Sequence, residues 1–295
     1  MNQTYASESR VMVFFKSLGL EKIAWSLRRI HTPVDRNALV LEVGSGGNPY
    51  PRANVLLDAY EDTSERHWVP LTVDRPFVLG FVENLPFKDK SFDFVIASHV
   101  LEHSKDPEKF LSELMRVSKG GYIEVPDAFM ERINPYEDHR LEIYEEQKQL
   151  IIRKKAQWKL EPDTVSLYER KAKRWTTGEM IPSHPFDFHV RYYWKDKVAF
   201  KILNPDADAG WKETIRTHGS TVPSRSAVAR VKTWTMKLFR WVNSQNSRNQ
   251  KIDLMSLLQC VSCKSSDLKK VSSSEIQCQN CKRIYFVKNN IPVMQ

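Results

Sequence analysis

Short apolar runs separated by polar and turn-forming stretches dominate residues 38–126. Five runs have the length of buried strands: 38–43, 54–58, 77–82, 91–97 and 121–125. Near-continuous apolar strands that alternate with helices or loops are typical of a parallel sheet covered on both faces. The pattern predicts an α/β fold with a doubly wound sheet.

Apolar residues at helical spacing predict three helices outside these strands. Residues 8–31 form one amphipathic pattern on Val11, Phe14 and Leu18, which Gly19 interrupts. Asp106 and Pro107 predict the start of a second helix, because aspartate is a good N-cap and proline suits the first turn. The third is a basic helix near residue 225.

These patterns divide the 295 residues into four parts. They are an N-terminal helical segment 1–37, an α/β domain 38–220 whose residues 127–220 are an insertion predicted to recognise the ligand on which the domain acts, a basic helix and linker 221–252, and a cysteine-containing domain 253–295.

Glycines and carboxylates follow the first two predicted strands. Glu42 and Gly44-Ser45-Gly46 end the first strand, and Asp58 ends the second. Ligands of open α/β sheets bind at the carboxyl ends of the strands, where a glycine turn allows close approach of backbone and ligand. These residues therefore predict a ligand site, with Asp58 placed to accept hydrogen bonds from ribose hydroxyls.

Four motifs in order carry a family resemblance: residues 41–46, Asp58, residues 83–87, and residues 92–103 ending in Glu102-His103. Together they resemble the class I S-adenosylmethionine-dependent methyltransferases, which have a Rossmann-like sheet, and most closely the quinone-biosynthesis branch. The resemblance covers about residues 38–126.

The resemblance implies a cofactor site for S-adenosylmethionine. Gly44 and Gly46 would line its amino-acid end with support from Glu42, and Asp58 would hold the ribose. Val82 and Glu83 would pass the adenine, and Ser98 would contact the methionine moiety. Two features depart from the family: the segment from Gly46 to Asp58 is short, and Phe81 stands where an acidic residue often faces the adenine.

Four residues are candidates for a general base: His99, Glu102, His103 and His139. Methyl transfer to an oxygen or nitrogen needs in-line positioning, and in some cases a base. We predict catalytic roles for His99, which follows a strand end, and for His139, which falls where such enzymes build a substrate lid. His103 closes a turn of the family, so a structural role is favoured for it.

Residues 184–194 are rich in aromatic rings, histidine and arginine. Rings with a few hydrogen-bonding groups suit sugars or other polar rings as the acceptor. The alternative is an added β-hairpin whose rings pack on the main sheet.

All four cysteines lie near the C-terminal end of the chain. Cys260, Cys263, Cys278 and Cys281 form two CxxC pairs separated by 14 residues. This spacing predicts a structural, tetrahedral zinc site. Residues 253–295 resemble the zinc-ribbon adaptors that activate tRNA, rRNA and release-factor methyltransferases, which implies a ribbon that stabilises or activates the enzyme in cis.

The positive charge is concentrated in the same quarter of the chain. Residues 221–295 carry 13 Lys and Arg against 3 Asp and Glu, whereas residues 1–220 carry 32 against 33. Within 225–251, Val228, Val231, Trp234, Leu238 and Trp241 could form one apolar face. A basic amphipathic helix with tryptophan suits an anionic membrane surface, RNA phosphates, or simple packing on the protein.

No apolar run reaches the roughly 20 residues of a transmembrane helix, and no cleavable signal is recognisable. The expected location is the cytoplasm, with peripheral binding at the inner membrane face.

Three functions remain open from the sequence. The first is a methyltransferase acting on a small-molecule or glycan-like acceptor, with O-methylation favoured. The second is an RNA or protein methyltransferase, which the adaptor-like ribbon and the basic charge favour. The third is a degenerate methyltransferase fold that acts as a scaffold, for which the short Gly46–Asp58 segment and Phe81 are the evidence.

Overall fold

The computed structural model describes residues 5–61, 69–159, 161–211 and 227–295, and only the backbone of residues 227–233. Arg225 of the predicted basic stretch lies outside these ranges, as do the side chains of Val228 and Val231.

The main sheet has six strands in the spatial order β3-β2-β1-β4-β5-β8. The strands are β1 Val40–Val43, β2 Val55–Asp58, β3 Phe77–Leu79, β4 Phe94–Ser98, β5 Gly120–Pro126 and β8 His189–Lys195. The first five are mutually parallel and β8 pairs antiparallel with β5. The predicted Rossmann-like α/β sheet is thus confirmed. The chain reverses direction across the sheet between β1 and β4, which is where a doubly wound sheet opens a ligand crevice.

Helix α3, Pro107–Val117, covers one face of the sheet between β4 and β5. It begins as predicted, because the Asp106 side chain accepts a hydrogen bond from the Lys109 amide at 3.0 Å. Its buried residues Phe110, Leu111 and Leu114 join the main hydrophobic core. The β1–β2 connection has no helix, so the sheet is not covered by a regular crossover helix at that point.

The N-terminal segment forms two helices, α1 Arg10–Ser17 and α2 Glu21–Leu27, which separate at Gly19 in a left-handed conformation (φ +71°). The predicted apolar face is wrong, because Val11, Phe14 and Leu18 are each more than half exposed. The buried residues are Met12 and Ala24.

Residues 127–211 contribute a second, three-stranded sheet and a short helical array. The elements are α4 Ala128–Ile133, β6 Leu141–Glu146, β7 Gln149–Lys154, α5 Pro162–Leu167, α6 Lys173–Trp175, α7 Ile181–Ser183 and β9 Phe200–Ile202, with π-helical turns at Tyr168–Ala172 and Thr176–Met180. Strand β8, inside the predicted insertion, belongs to the main sheet instead. Its Tyr192, Tyr193 and Trp194 are buried, so these rings of the 184–194 segment pack on the sheet as a single added strand.

The C-terminal elements are α8 Ala227–Asn243, α9 Asn246–Asn249, α10 Leu254–Leu257, β10 Leu268–Lys270, β11 Glu275–Cys278, β12 Ile284–Lys288 and β13 Ile291–Pro292. Strands β10–β13 form an antiparallel sheet that continues the edge of the main sheet. Val293 pairs in parallel with Leu79 of β3, and the Met294 amide donates to the Leu79 carbonyl at 2.8 Å. Within the described ranges, no helix is long and apolar enough to cross a membrane.

Candidate functional site

The loop after β1 has a backbone that only glycine adopts readily. Gly44 and Gly46 both have positive φ, +62° and +56°. A Cβ at Gly44 would lie 2.3 Å from Cγ2 of Val100, so the loop packs directly against the segment that follows β4. Glycine at position 44 therefore allows the loop after β1 to approach the segment after β4 closely.

Asp58 connects the end of β2 to the same loop. Its Oδ2 accepts a hydrogen bond from the Gly46 amide at 2.9 Å, and its Oδ1 from the Tyr60 amide at 3.4 Å. The residue is 6% exposed. The residue predicted to bind the ribose thus lies next to the predicted glycine loop. Its carboxylate fixes the conformation of that loop.

Glu42 lies buried beneath this loop. Its Oε2 accepts a hydrogen bond from the Tyr50 amide at 2.7 Å. Burial raises the pKa of Glu42 to about 7, and the nearby Arg29 guanidinium opposes that rise. Arg29 also packs over the Tyr50 ring, 3.9 Å from its centroid. Glu42 therefore holds the backbone at Tyr50, in the segment that follows the glycine loop.

The side chains of the two residues predicted to pass the adenine have partners inside the protein. Val82 is 6% exposed and belongs to the main core. The Glu83 carboxylate accepts a hydrogen bond from the Ser104 hydroxyl at 2.7 Å. Phe81 is 38% exposed, and its ring meets Tyr60 edge-on at 5.7 Å. The aromatic surface beside the ends of β2 and β3 therefore comes from Phe81 and Tyr60.

Ser98 belongs to a polar cluster that is centred on Glu124, a residue missed by the sequence analysis. The Ser98 hydroxyl donates to Glu124 Oε1 at 3.1 Å, Arg28 donates from Nε to Oε2 at 2.8 Å, and the Tyr122 hydroxyl donates to the same carboxylate. Desolvation would raise the pKa of Glu124, but His99 and Arg28 hold it well below its usual range. The only sequence signal was a charged residue in a buried strand.

His99 follows β4 in a left-handed conformation, with φ of +57°. Its Nδ1 lies 3.4 Å from Glu102 and its Nε2 lies 3.4 Å from Glu124, while 42% of its side chain is exposed. Desolvation would lower the pKa of His99, but the two carboxylates outweigh it and raise the pKa to about 10. A cationic imidazole donates hydrogen bonds, whereas the predicted role of His99 as general base requires the neutral form with a free lone pair.

Aromatic rings border this polar cluster on the side of the N-terminal helices. Tyr122 and Tyr193 stack with centroids 4.4 Å apart. Arg28 lies 3.7 Å from the Trp25 ring centroid, and His189 lies 4.7 Å from the same ring. The arrangement offers ring faces, a guanidinium and an imidazole beside Ser98 and His99.

His139 is buried behind Glu102 and does not lie on an exposed lid. Its Nδ1 is 2.8 Å from Glu131 Oε2, and its ring meets the His103 ring at 4.8 Å between centroids. Hydrogen bonding to Glu131 and the charge of Glu102 raise its pKa, against the effect of burial. The structure thus groups His139 with His103 and Glu102.

The four cysteine sulfurs converge as the two CxxC pairs predict. All four Sγ atoms lie within 4.8 Å of one another, with Cys260–Cys281 and Cys263–Cys278 at 3.5 Å. Tetrahedral Zn–S bonds of about 2.3 Å give S···S distances of about 3.8 Å. After each pair comes a residue with positive φ, Lys264 or Lys282, whose amide bonds back to the first cysteine carbonyl of the pair. This matched geometry suggests a zinc site.

The apolar face of α8 is exposed. Trp234, Leu238 and Trp241 have exposed fractions of 63%, 43% and 66%. The predicted basic face is smaller than expected, because Arg240 forms an ion pair with Asp74 at 3.0 Å and Arg248 donates to the carbonyls of residues 36–38. Arg240 thus anchors the C-terminal part of α8 to Asp74, and Arg248 anchors the following helix α9 to residues 36–38.

Residues 54–125 match the methyltransferase domain family. The chain is similar to norajmaline N-methyltransferase of Rauvolfia serpentina, with 44% identity over 45 residues that cover 15% of each chain. It is also 39% identical over 91 residues to an uncharacterized protein of Methanocaldococcus jannaschii, which covers 31% of this chain and 43% of that one. The chain therefore spans about 15% of the length of the plant enzyme that it matches.

Two solved structures are similar to parts of the chain. One is a Thermotoga maritima S-adenosylmethionine-dependent methyltransferase that carries the description "possible histamine N-methyltransferase". It has 28% identity, covers 31% of this chain and 45% of that one, and has a TM-score of 0.24. Another is a chain from the complex of a Haloferax volcanii methyltransferase with the Trm112 methyltransferase activator, at 17% identity, 46% and 78% coverage, and a TM-score of 0.28. Scores this low do not establish a common fold. The domain match and the curated relative support an S-adenosylmethionine-dependent methyltransferase.

Proposed function

We propose that the chain transfers a methyl group from S-adenosylmethionine to a small-molecule or glycan-like acceptor, with an oxygen as the favoured methylated atom. The observation that carries the proposal is the glycine loop after β1, whose Gly46 amide donates a hydrogen bond to Asp58 at the end of β2. Asp58 lies inside residues 54–125, which match the methyltransferase domain family. Gly44, Gly46 and Asp58 would hold the cofactor, with Glu42 supporting the loop.

The bound cofactor supplies an activated methyl group, so the protein needs mainly to orient and desolvate the acceptor. His99 and Ser98 lie at the end of β4, where Glu124 fixes both. As a cation, His99 would donate a hydrogen bond to an acceptor oxygen. The adjacent rings and Arg28 would bind a polar ring through stacking and charge.

Other acceptor atoms and other classes of acceptor are alternatives to this proposal. The plant relative carries the name of an N-methyltransferase, which favours a nitrogen acceptor. An RNA or protein acceptor agrees with the basic C-terminal quarter. The scaffold alternative rested partly on Phe81, which replaces an acidic residue that often faces the adenine. The rings of Phe81 and Tyr60 form an aromatic surface at this place, which offers stacking in place of the missing carboxylate. This weakens the scaffold alternative.

Cofactor binding tests the proposal directly. S-adenosylhomocysteine titrated into zinc-loaded protein should bind with a micromolar dissociation constant. Asp58→Ala should weaken binding at least about 30-fold, since losing a hydrogen-bonding charged partner costs about 2 kcal/mol. Calorimetry gives both values, and Asp206→Ala, at an exposed position, should bind like the wild type.

Absence of binding to folded wild-type protein would refute a working cofactor site and leave the scaffold function. Equal binding by wild type and Asp58→Ala would show that the cofactor lies elsewhere. With binding established, glycans and lipid-linked sugars are the first acceptors to assay, followed by RNA.

The four-cysteine ribbon is proposed to bind a structural zinc ion and to stabilise the catalytic domain in cis. Its last residues pair with the edge strand β3, and the Gln259 amide donates to the Pro86 carbonyl at 2.9 Å. Leu258, Cys260 and Tyr285 belong to the same hydrophobic core as the main sheet. An ion that orders the ribbon would therefore stabilise the sheet edge.

The exposed face of α8 is proposed to bind an anionic membrane surface, which would place the enzyme at the inner face of the membrane. Trp234 and Trp241 are two-thirds exposed, and Lys237 on the same helix is exposed. Tryptophan and lysine on one helix suit the interface of anionic lipid and water. If α8 served only to pack on the rest of the protein, the rings of Trp234 and Trp241 would be expected to be buried.

Vesicle binding should depend on both tryptophans. The double variant Trp234→Ala/Trp241→Ala should lose at least about tenfold in affinity for phosphatidylserine-containing vesicles, since two large apolar side chains leave the interface. Co-sedimentation at low and high salt measures it. Trp175→Ala removes a tryptophan that is 55% exposed outside α8 and serves as control. Unchanged binding of the double variant, or co-purified RNA on this face, would exclude the membrane proposal.

A further inference from the structure

Glu102, His103 and His139 form a compact group of potential metal ligands. One ligand atom from each, a carboxylate oxygen or an imidazole nitrogen, lies within 4.8 Å of the others. Glu102 and His103 occupy a short 3-10 turn, Leu101–His103, directly after β4, and His139 comes from the segment before β6. Tertiary packing thus brings together ligands that are more than 30 positions apart.

Both imidazoles are oriented in the way that metal-binding histidines commonly are. His103 Nδ1 lies 3.1 Å from the Asp138 carbonyl oxygen, and His139 Nδ1 lies 2.8 Å from Glu131 Oε2. A carbonyl or carboxylate partner for one ring nitrogen sets the tautomer and leaves the other nitrogen as a lone-pair donor. Nε2 of each ring is therefore the available ligand atom.

The outer partner Glu131 is itself held in place. Its Oε1 accepts hydrogen bonds from Lys155 Nζ at 2.6 Å and from the Tyr136 amide at 3.1 Å. Glu131 is 3% exposed. The His139 ring is consequently fixed by a chain of contacts rather than free to rotate.

Glu102 is the observation that points most directly to a cation. The residue is 2% exposed, and within the described residues neither carboxylate oxygen accepts a hydrogen bond. The nearest charged atom is His99 Nδ1 at 3.4 Å, which is longer than a typical charge-assisted hydrogen bond of about 2.8 Å. A buried carboxylate whose oxygens accept no hydrogen bond and whose nearest cation is this distant is only partly compensated, and a bound cation would remove the remaining penalty.

We propose that Glu102, His103 and His139 bind one divalent transition-metal ion, separate from the ion of the four-cysteine ribbon. Two imidazoles and one carboxylate are the ligand set of many catalytic zinc, manganese and iron sites, which keep positions open for a further ligand. The four thiolates select zinc, whereas this mixed nitrogen and oxygen set also accepts the harder Mn²⁺.

The ion would be separated by the His99 side chain from the cluster of Ser98 and Glu124, where methyl transfer is proposed to occur. His99 contacts both Glu102 and Glu124. An open position on the ion would suit an oxygen ligand, such as a hydroxyl of the acceptor. This last assignment rests on the proposed methyltransferase function, whereas the metal site itself does not.

Manganese titration of the full-length protein loaded with one equivalent of zinc, which the four thiolates select, tests the site without cofactor or acceptor. Electron paramagnetic resonance measures the free Mn²⁺. The wild type should bind one Mn²⁺ per chain. Glu102→Gln, His103→Asn and His139→Asn should each weaken binding at least about tenfold, because each removes one of three protein ligands. His184→Asn, whose side chain is 56% exposed, should leave binding unchanged.

Measurements of zinc stoichiometry and of the melting temperature distinguish the loss of this metal site from a general folding defect in the variants. Metal-saturated wild type should hold two zinc ions and Glu102→Gln one, and Mn²⁺ should raise the melting temperature of the wild type but not of the variant. One zinc ion and no Mn²⁺ in the wild type would overturn the proposal. Metal binding that persists in all three ligand variants would also overturn it. A confirmed metal site in a protein that binds no S-adenosylhomocysteine would refute the proposed function alone.

Discussion

Cys260→Ser is expected to destabilise the whole chain, by about 3 kcal/mol or more, through loss of the structural ion. A zinc ribbon of this size contributes little core without its metal. Cys260 and Cys278 are fully buried, and both belong to the same core as β1, β4 and α3. Unfolding of the ribbon would therefore expose part of the main core as well as the edge of β3.

Urea denaturation followed by tryptophan fluorescence, with zinc content measured in parallel, tests this expectation. The variant should lose zinc and unfold at lower urea. Ser273→Ala, an exposed change in the β10–β11 turn, provides the matched control and should unfold like the wild type. Loss of zinc from Cys260→Ser without a change in the unfolding midpoint would mean that the ribbon folds independently of the catalytic domain.

Glu42→Gln is expected to change how stability depends on pH. The folded-state pKa of Glu42 is about 7, against an ordinary value of 4.5, because the carboxyl is buried. Between these two pH values the folded state holds a proton that the unfolded state has lost. The free energy of unfolding therefore falls as pH rises from about 4.5 to 7, by roughly 3 kcal/mol in total. Glutamine removes this loss because it carries no charge at any pH.

Free energies of unfolding measured in urea at pH 5 and pH 8 show the effect. Between pH 5 and pH 8, the free energy of unfolding of the wild type should fall by about 2.5 kcal/mol more than that of Glu42→Gln. Glu161→Gln, at a side chain that is 72% exposed, should follow the wild type. An identical pH dependence in wild type and Glu42→Gln would show that the buried carboxyl is ionised and compensated by Arg29.

Local sequence patterns determined several elements of this protein. The apolar runs 38–43 and 54–58 contain β1 and β2, and Asp106 with Pro107 begins α3. The CxxC pairs converge because each is a self-contained turn, closed by a bond between amide and carbonyl four residues apart. Strand-end glycines and Asp58 also met as expected, since parallel strands place their carboxyl ends at one edge. Such features depend on neighbours in sequence or on a general rule of sheet geometry.

Long-range packing decided the rest. Strand β8 joins β5, and Val293 joins β3, through backbone pairing that side-chain pattern does not specify. Glu124 and Arg28 are 96 positions apart, and Glu102 and His139 are 37 apart, so neither cluster is visible along the chain. The charge of His99 follows from two buried carboxylates that only folding brings to it. The sequence alone thus determined the sheet and the cysteine turns, whereas the tertiary structure decided the protonation, pairing and grouping of the polar side chains, because those depend on burial and on partners distant in sequence.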